Sequence, residues 1–193
     1  ERMLERLILK QIDLLLLHQQ VGNYRKAWIS LENAVKSGKV KSIGISNFDG
    51  ERLVDLFNFA DIKPSVLQVE THPYHQQKEL QEFLKPYGTK IESWYSLGHG
   101  DQRLLDESRL KKIAQKYNKT VAQIILRWHI QEGIIVFPRS TRVEHLAENI
   151  NIFDFELSCT EIKEIRKLDK KQPYFTMTYD EQVQNFLSWK LKD

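Results

Sequence analysis

Polar and aromatic side chains that could bind a ligand follow short apolar runs along the chain. A histidine exchanges protons near neutral pH, hydroxyl and amide groups both donate and accept hydrogen bonds, and aromatic rings stack on flat groups. A core strand gains nothing from ending in such groups unless they meet a polar ligand. The pattern therefore indicates a ligand site built from strand ends. In chain order the residues are His18; Ser46 and Asn47; Gln68 and Glu70; Trp94 and Tyr95; and Arg139, Ser140 and Thr141.

Each of these residues also has a purely structural interpretation. His18 could be a strand-end histidine with satisfied hydrogen bonds, and Trp94 could belong to the core. Ser46 and Asn47 could simply cap a helix that starts near residue 48 or 49. Gln68 is harder to explain in this way, because an amide inside an apolar strand needs hydrogen-bonding partners. The shared position at strand ends favours the ligand site.

Two kinds of hydrophobic pattern alternate along the chain and predict the elements that position these residues. Short apolar runs predict strands, and the run at residues 12–17 is typical of a strand buried on both faces. The predicted strands cover residues 12–17, 40–46, 66–70, 90–95 and 134–137. The predicted helices cover residues 25–37, 51–60, 77–87, 107–117, 120–131, 143–149 and 157–167.

Helix-end signals support several of these boundaries. Thr120 is the predicted N-cap of one helix, and Ser158 is that of another, with Glu161 completing a capping box. Gly88 is a candidate C-cap. From residue 172 onward the chain is aromatic, and we expect an irregular tail. Its apolar residues could form a substrate wall or pack on the side of the domain; they are Tyr174, Phe175, Tyr179, Phe186 and Trp189.

Strands that alternate with helices imply right-handed crossovers and a parallel sheet. A doubly wound sheet and a (β/α)8 barrel both fit this α/β pattern. A barrel needs eight strands and typically about 250 residues, so five strands in 193 residues would leave three units missing. The chain also opens at Glu1 without a methionine, in what reads as mid-helix, as a cut chain would. No linker interrupts the pattern, and we expect a single domain.

Composition excludes several classes of function. The formal net charge is +3 and basic residues are scattered among acidic ones, which gives no nucleic-acid signature. The apolar runs are far shorter than the roughly 20 residues that span a bilayer. A single cysteine, Cys159, forms no internal disulfide, which fits a reducing cytosol. We therefore expect a cytoplasmic protein without nucleic-acid or membrane partners, and we single out no metal ligand.

A specific resemblance emerges from the motifs taken together. The runs are IDLLLLHQQ, GKVKSIGISNF, QVETHPYHQQKEL, WYSLGHGD, VFPRSTRVEHLAEN and IFDFELS. In order and spacing, from about residue 1 to residue 170, they resemble the aldo-keto reductase family. The resemblance implies a (β/α)8 TIM barrel, present here as strands 4–8 with their helices over residues 1–171, followed by a tail at residues 172–193.

Members of this family transfer a hydride between NADPH and an aldehyde or ketone. The resemblance makes His18 the histidine that orients and polarises the carbonyl. It assigns Ser46, Asn47 and Gln68 to hydrogen bonds with the nicotinamide carboxamide. Trp94, beside Tyr95, matches the aromatic position on which the nicotinamide stacks, which is more often a tyrosine in the family. The cofactor is bound without a GxGxxG turn, and this chain has none.

The remaining cofactor contacts follow from the same resemblance. The loop at residues 97–101, with Leu97, Gly98 and Asp101, corresponds to the one that closes over the pyrophosphate. Arg139, Ser140 and Thr141 correspond to the motif for the adenosine 2′-phosphate. Glu148 and Asn149 correspond to the pair that contacts the adenine.

Two departures from the family pattern bear on the choice between NADPH and NADH. Arg139 stands where lysine is usual. The positive charge is kept, but the compact ammonium group of lysine is replaced by a planar guanidinium that can form two parallel hydrogen bonds. His145 replaces an arginine, and histidine is largely neutral at pH 7. Arg142 lies one turn earlier and could substitute. We therefore expect NADPH as the cofactor.

The family's catalytic tyrosine, with its lysine and aspartate partners, belongs by resemblance to strands that precede Glu1. Tyr24, Tyr74 and Tyr95 do not match its position. A fragment of a longer reductase is one interpretation. The alternative is a catalytically inactive fragment or a nicotinamide-binding regulatory module. If the 193 residues were the whole polypeptide, exposed sheet edges would favour self-association. The particular carbonyl substrate cannot be read from these motifs.

Overall fold

The computed structural model describes residues 2–188. Its strands are β1 Ile12–Leu17, β2 Val40–Ser46, β3 Val66–Glu70, β4 Lys90–Trp94 and β5 Ile135–Val136. Its α-helices are α1 Arg2–Leu7, α2 Tyr24–Lys36, α3 Gly50–Phe59, α4 Lys78–Leu84, α5 Gln102–Leu105, α6 Ser108–Tyr117, α7 Val121–Gln131, α8 Val143–Ile150, α9 Cys159–Arg166 and α10 Tyr179–Leu187. None of the helices described is long and apolar enough to cross a membrane.

The five strands form one sheet in the order β1-β2-β3-β4-β5. The β1–β2, β2–β3 and β4–β5 pairs are parallel, which confirms the sheet predicted from the alternating pattern. Gly44 of β2 marks a close approach, because a Cβ atom there would lie 2.5 Å from Val66 and 2.7 Å from Leu16. A larger residue at this position would push the neighbouring strands apart.

The predicted helix ends are confirmed at three places. The Thr120 side chain accepts from the backbone of Gln123 to begin α7 with a capping box. Ser158 and Glu161 form the predicted box before α9. Gly88 ends the turn that follows α4, with a left-handed φ of 71°. These ends depend on contacts within a few residues, which is why local sequence predicts them well.

Three sequence expectations differ from the structure. The tail is not wholly irregular, because Thr178 and Glu181 form a capping box that begins α10. The spacing of these two residues in the sequence is the signal that predicts such a helix start. Trp189 lies outside the described residues. The strand predicted at residues 134–137 is only two residues long, since it pairs with β4 at two positions. β1 is half-exposed rather than buried on both faces.

The chain divides into two compact units. The first contains the described residues through Gln68, Leu84–Thr89 and the described residues from Thr176 onward. Its core includes side chains with less than 2% of their surface exposed; among them are Trp28, Ile43, Ile45, Phe48, Leu56 and Leu67. Within this unit Arg52 holds α10, with its guanidinium 4.0 Å from the centre of the Tyr179 ring.

The second unit contains Val69–Phe83 and Lys90–Phe175. Helices α6, α7 and α9 supply most of its core, including Leu110, Ile124, Trp128 and Ile165. This core belongs to residues that recur at helical spacing, so it follows directly from the amphipathic pattern. The assignment of residues 172–193 as the tail of a single barrel domain stays a prediction.

His129 is a fully buried titratable group in the second unit. Its Nδ1 lies 2.8 Å from the Ile125 carbonyl oxygen and its Nε2 lies 3.1 Å from that of Thr71. Burial lowers the pKa of His129 to about 4, despite these two carbonyls. A neutral imidazole carries one N–H, so it donates to one of the two carbonyls only.

We expect the low pKa of His129 to make the fold acid-sensitive. As the pH falls below about 6.5, the unfolded chain binds a proton that the folded chain rejects, so the free energy of unfolding decreases. From pH 6.5 to pH 5 the loss should be about 2 kcal/mol. Urea denaturation at pH 7 and pH 5 should show a smaller pH-dependent loss for His129→Gln. An equal loss in both proteins would contradict the prediction.

Candidate functional site

The ends of β1, β2 and β3 bring together the four polar residues predicted within the first unit. Ser46 lies opposite Gln68 in the parallel register of β2 and β3. The Asn47 backbone N–H donates to the Gln68 carbonyl oxygen at 3.0 Å, and the Asn47 side-chain amide donates to the His18 carbonyl oxygen at 3.3 Å. The predicted juxtaposition of these residues is therefore present in the structure.

Ser46 has the most unusual environment of the four residues. It is fully buried, and its Oγ atom has no hydrogen-bond partner among the residues described. A buried hydroxyl without a partner costs about 1–3 kcal/mol. A ligand with a polar group at this position would remove that cost. A carboxamide both donates and accepts hydrogen bonds, which matches the chemistry of a hydroxyl.

Asn47 adopts a left-handed backbone conformation, with φ of 59°. Asparagine tolerates this region better than most residues, yet it still carries strain. Ser46 and Asn47 do not cap the next helix, because the N-cap of α3 is Asp49. The capping interpretation of this pair is therefore wrong. The conformation directs the Asn47 side chain to the end of β1.

His18 is exposed at the end of β1. Its imidazole makes no hydrogen bond to any residue within the described part of the chain. The interpretation of His18 as a satisfied structural histidine is therefore not supported. Both ring nitrogens are open to an external hydrogen-bond partner.

The second unit holds the predicted aromatic residues. The rings of Trp94 and Tyr95 meet edge to face at 4.7 Å, and the Phe175 ring meets Trp94 edge-on at 5.9 Å. Tyr95 has a positive φ of 56° and is exposed. This backbone conformation sends the chain sharply away from β4. The Tyr95 ring lies 4.3 Å from that of His99.

The predicted pyrophosphate loop is a tight turn. Gly98 has φ of 64°, and a Cβ atom there would lie 2.5 Å from Leu104. The Gly98 N–H donates to the Tyr95 carbonyl at 2.7 Å, and that of Asp101 donates to the Gly98 carbonyl at 2.9 Å. These backbone donors are used inside the turn. A phosphate would need other donors from this segment.

Asp101 ends this loop and caps α5 by accepting from the Arg103 backbone N–H at 2.9 Å. The Arg103 guanidinium also contacts both carboxylate oxygens, and the Tyr174 hydroxyl donates to one of them at 2.7 Å. These bonds, with that from Arg103 strongest, hold the pKa of Asp101 well below its usual range. The carboxylate is thus engaged within the protein.

The predicted adenosine-phosphate segment lies between β5 and α8. Arg139 and Thr141 are exposed, as is His145 on α8. The Ser140 hydroxyl accepts from the Arg142 backbone N–H at 3.0 Å, which shapes the start of α8. Glu148 and Asn149 are half-buried. An exposed cation beside a helix start is chemically suited to a phosphate.

Glu70 stands at a predicted strand end, and the sequence motifs give it no role. Its buried carboxylate accepts the backbone N–H groups of Tyr174 at 2.6 Å and Phe175 at 3.0 Å, and it lies 3.0 Å from His72 Nε2. Burial raises the pKa of Glu70, but these hydrogen bonds outweigh it and leave the pKa below its usual value. The sequence signal for a role of Glu70 is an acidic residue at the end of an apolar strand.

Comparisons with known proteins agree with this geometry. The model of the aldo/keto reductase family matches residues 1–170. The chain is 44% identical over 173 residues to glyoxal reductase of Bacillus subtilis, covering 89% of this chain and 62% of that protein. It is 37% identical over 170 residues to methylglyoxal reductase DkgA of Escherichia coli, covering 86% and 62%. A crystal structure of a Gox0644 mutant in complex with NADPH superposes with a TM-score of 0.83 at 36% identity, covering 94% of this chain and 67% of that one.

The chain belongs to the aldo/keto reductase family. Its parallel sheet is part of a fold of the (β/α)8-barrel type, as the resemblance implied. The chain spans about 62% of the length of the two reductases it was compared with.

The unpartnered hydroxyl of Ser46 makes a prediction about stability. Without ligand, Ser46→Ala should raise the free energy of unfolding by about 1 kcal/mol, because it removes a buried group that lacks a hydrogen bond. Ser93→Ala is the matched control, since that buried hydroxyl donates to the Thr71 carbonyl at 2.7 Å. The control should lose about 1 kcal/mol. Thermal unfolding of both variants measures the difference, and equal losses would contradict the interpretation of Ser46.

Proposed function

We propose that this chain takes part in the NADPH-dependent reduction of a small aldehyde or ketone. Its family membership supports this proposal, as do the names of two relatives, a glyoxal reductase and a methylglyoxal reductase. A related structure contains NADPH. The observation that carries the proposal is the buried, unpartnered Ser46 hydroxyl among polar strand ends.

The polar groups of the first unit suit the nicotinamide carboxamide. A carboxamide both donates and accepts, so Ser46 could satisfy its hydroxyl on either atom. The Asn47 side chain and the Gln68 amide offer further polar contacts from adjacent strand ends. Several hydrogen bonds to one small group fix its orientation as well as its position. In this proposal they determine which ring face is presented to the substrate.

The residues of the second unit, considered by themselves, have chemistry that suits a dinucleotide. Trp94 provides an aromatic face for stacking, while Tyr95 and the loop residues Leu97, Gly98 and Asp101 lie next in the chain. In the proposal, the Arg139 guanidinium pairs with the 2′-phosphate, as its charge and exposure allow. The further contacts proposed for the phosphate and the adenine come from Ser140, Thr141, His145, Glu148 and Asn149.

His18 has the chemistry required at the substrate oxygen. When bound, reduced nicotinamide supplies a hydride to the carbonyl carbon, and negative charge then develops on the oxygen. A neutral imidazole can donate one hydrogen bond to that oxygen and lower the barrier. The exposed ring of His18 is free to do so, since no described residue engages it.

Stacking on Trp94 can be tested by the enhancement of NADPH fluorescence on binding. Trp94→Ala should weaken NADPH binding by about tenfold, because loss of the aromatic face removes roughly 1.4 kcal/mol. Trp94→Tyr should retain most of the affinity, since tyrosine also stacks. Unchanged binding in the alanine variant would rule out the stacking role.

Carbonyl reduction can be tested by NADPH oxidation with glyoxal or methylglyoxal, in a protein that carries residues 1–193. His18→Ala should lower kcat/KM by about 100-fold, the usual effect of removing one donor to a developing oxyanion. NADPH binding measured by fluorescence should stay the same, which controls for folding. NADPH binding without carbonyl-dependent oxidation in the unaltered protein would favour a nicotinamide-binding module.

A further inference from the structure

One buried carboxylate in the second unit holds a chain segment more than 100 residues away. The Glu70 side chain has 5% of its surface exposed, and it meets three donors. Two are consecutive backbone N–H groups, those of Tyr174 at 2.6 Å and Phe175 at 3.0 Å. The third is His72 Nε2 at 3.0 Å, and His72 Nδ1 accepts from the Tyr74 backbone. The His72 ring therefore carries its proton on Nε2 and donates it to Glu70.

The same segment is held at its other side by Asp101. The Tyr174 hydroxyl donates to Asp101 Oδ2 at 2.7 Å. Arg103 contacts the same carboxylate, with its Nη2 atom 2.8 Å from Oδ2. Tyr174 thus links the end of β3, through its backbone, with the turn after β4, through its side chain.

The rings carried by this segment meet the residues proposed to bind the cofactor. The Phe175 ring lies edge-on to Trp94 at 5.9 Å. The Tyr174 oxygen lies 3.2 Å from the position that a Cβ atom on Gly98 would occupy. A side chain at Gly98 would therefore crowd Tyr174 as well as Leu104, which lies 2.5 Å from the same position. Tyr174 thus fills the space beside Gly98 in the turn at residues 98–101.

We propose that Glu70, Asp101, Tyr174 and Phe175 form a clasp that positions Trp94 and the turn at residues 98–101 for NADPH. Glu70 and Tyr174 are then positioning residues that slow the release of the cofactor. The inference rests on the proposed function, in which Trp94 stacks on the nicotinamide. It adds a role for two residues outside the cofactor contacts proposed above.

The geometry explains why a carboxylate is required. Glu70 accepts from all three of its partners, and a carboxylate has lone pairs enough for them. A glutamine has one acceptor oxygen, and its NH₂ group would face a donor. Glu70→Gln should therefore release at least one of the two backbone N–H groups. Loss of that anchor loosens the backbone that carries the Phe175 ring, while Tyr174 keeps its hydrogen bond to Asp101.

The test compares Tyr174→Phe with Tyr117→Phe. The Tyr117 hydroxyl donates to Glu161 at 2.7 Å, and Lys116 contacts the same carboxylate at 2.6 Å. This second trio repeats the tyrosine, carboxylate and cation of the clasp at positions far from Trp94 and the turn in sequence. Both variants lose one phenol-to-carboxylate hydrogen bond, so their thermal stabilities should fall similarly. A merely structural role predicts no other difference.

The rate of NADPH release, measured by stopped flow with excess NADP⁺ as the chase, distinguishes a positioning role from a merely structural role. We expect about tenfold faster release for Tyr174→Phe and Glu70→Gln, and an unchanged rate for Tyr117→Phe. Release at the unaltered rate in Tyr174→Phe, or equal acceleration in Tyr117→Phe, would overturn the clasp.

Hydrogen exchange without any nucleotide tests the clasp independently of cofactor binding. The amides of Tyr174 and Phe175, and those of residues 98–101, should exchange faster in Glu70→Gln than in the unaltered protein. Slow exchange in both proteins would overturn the clasp. If the unaltered protein fails to bind NADPH, the proposed function fails, while this exchange measurement still decides whether the clasp exists.

Discussion

The parallel register of β2 with its two neighbours is the constraint on which the first part of the site depends. Gly44 allows the close approach, because a Cβ atom there would collide with Val66 and Leu16. With that register, Ser46 lies opposite Gln68 and the Asn47 backbone reaches the Gln68 carbonyl. A slip of one residue would reverse the face that each side chain occupies. The polar strand ends meet only because the apolar parts of the strands are in register.

Backbone strain and an unmet hydrogen bond occur at strand ends that carry candidate site residues. Asn47 and Tyr95 both have positive φ directly after a strand, and the Ser46 hydroxyl is buried without a partner in the described structure. Such features lower stability and persist where they serve a ligand. This pattern agrees with membership in the aldo/keto reductase family. Two relatives of the chain are named glyoxal reductase and methylglyoxal reductase. In the proposed function, a bound ligand would offset the stability that these residues cost.

In the second unit, side chains far away in sequence fix the irregular segment that contains Tyr174 and Phe175. Tyr174 and Phe175 belong to no helix or strand, so their backbone groups need partners elsewhere. Glu70 provides those partners from the end of β3, and Asp101 holds the Tyr174 hydroxyl. Buried carboxylates remain charged when several donors surround them, and Glu70 meets that condition. One acidic residue thus holds the backbone that carries the Phe175 ring against Trp94.

The amino-acid sequence by itself determined the strands, most helix boundaries and the family. These depend on apolar periodicity and on caps such as Ser158 with Glu161, which act within a few residues. It also predicted which polar residues stand at strand ends. Tertiary structure decided the exposure of β1 and the partners of Glu70. Those features depend on contacts between residues far apart in the chain, which no local pattern encodes.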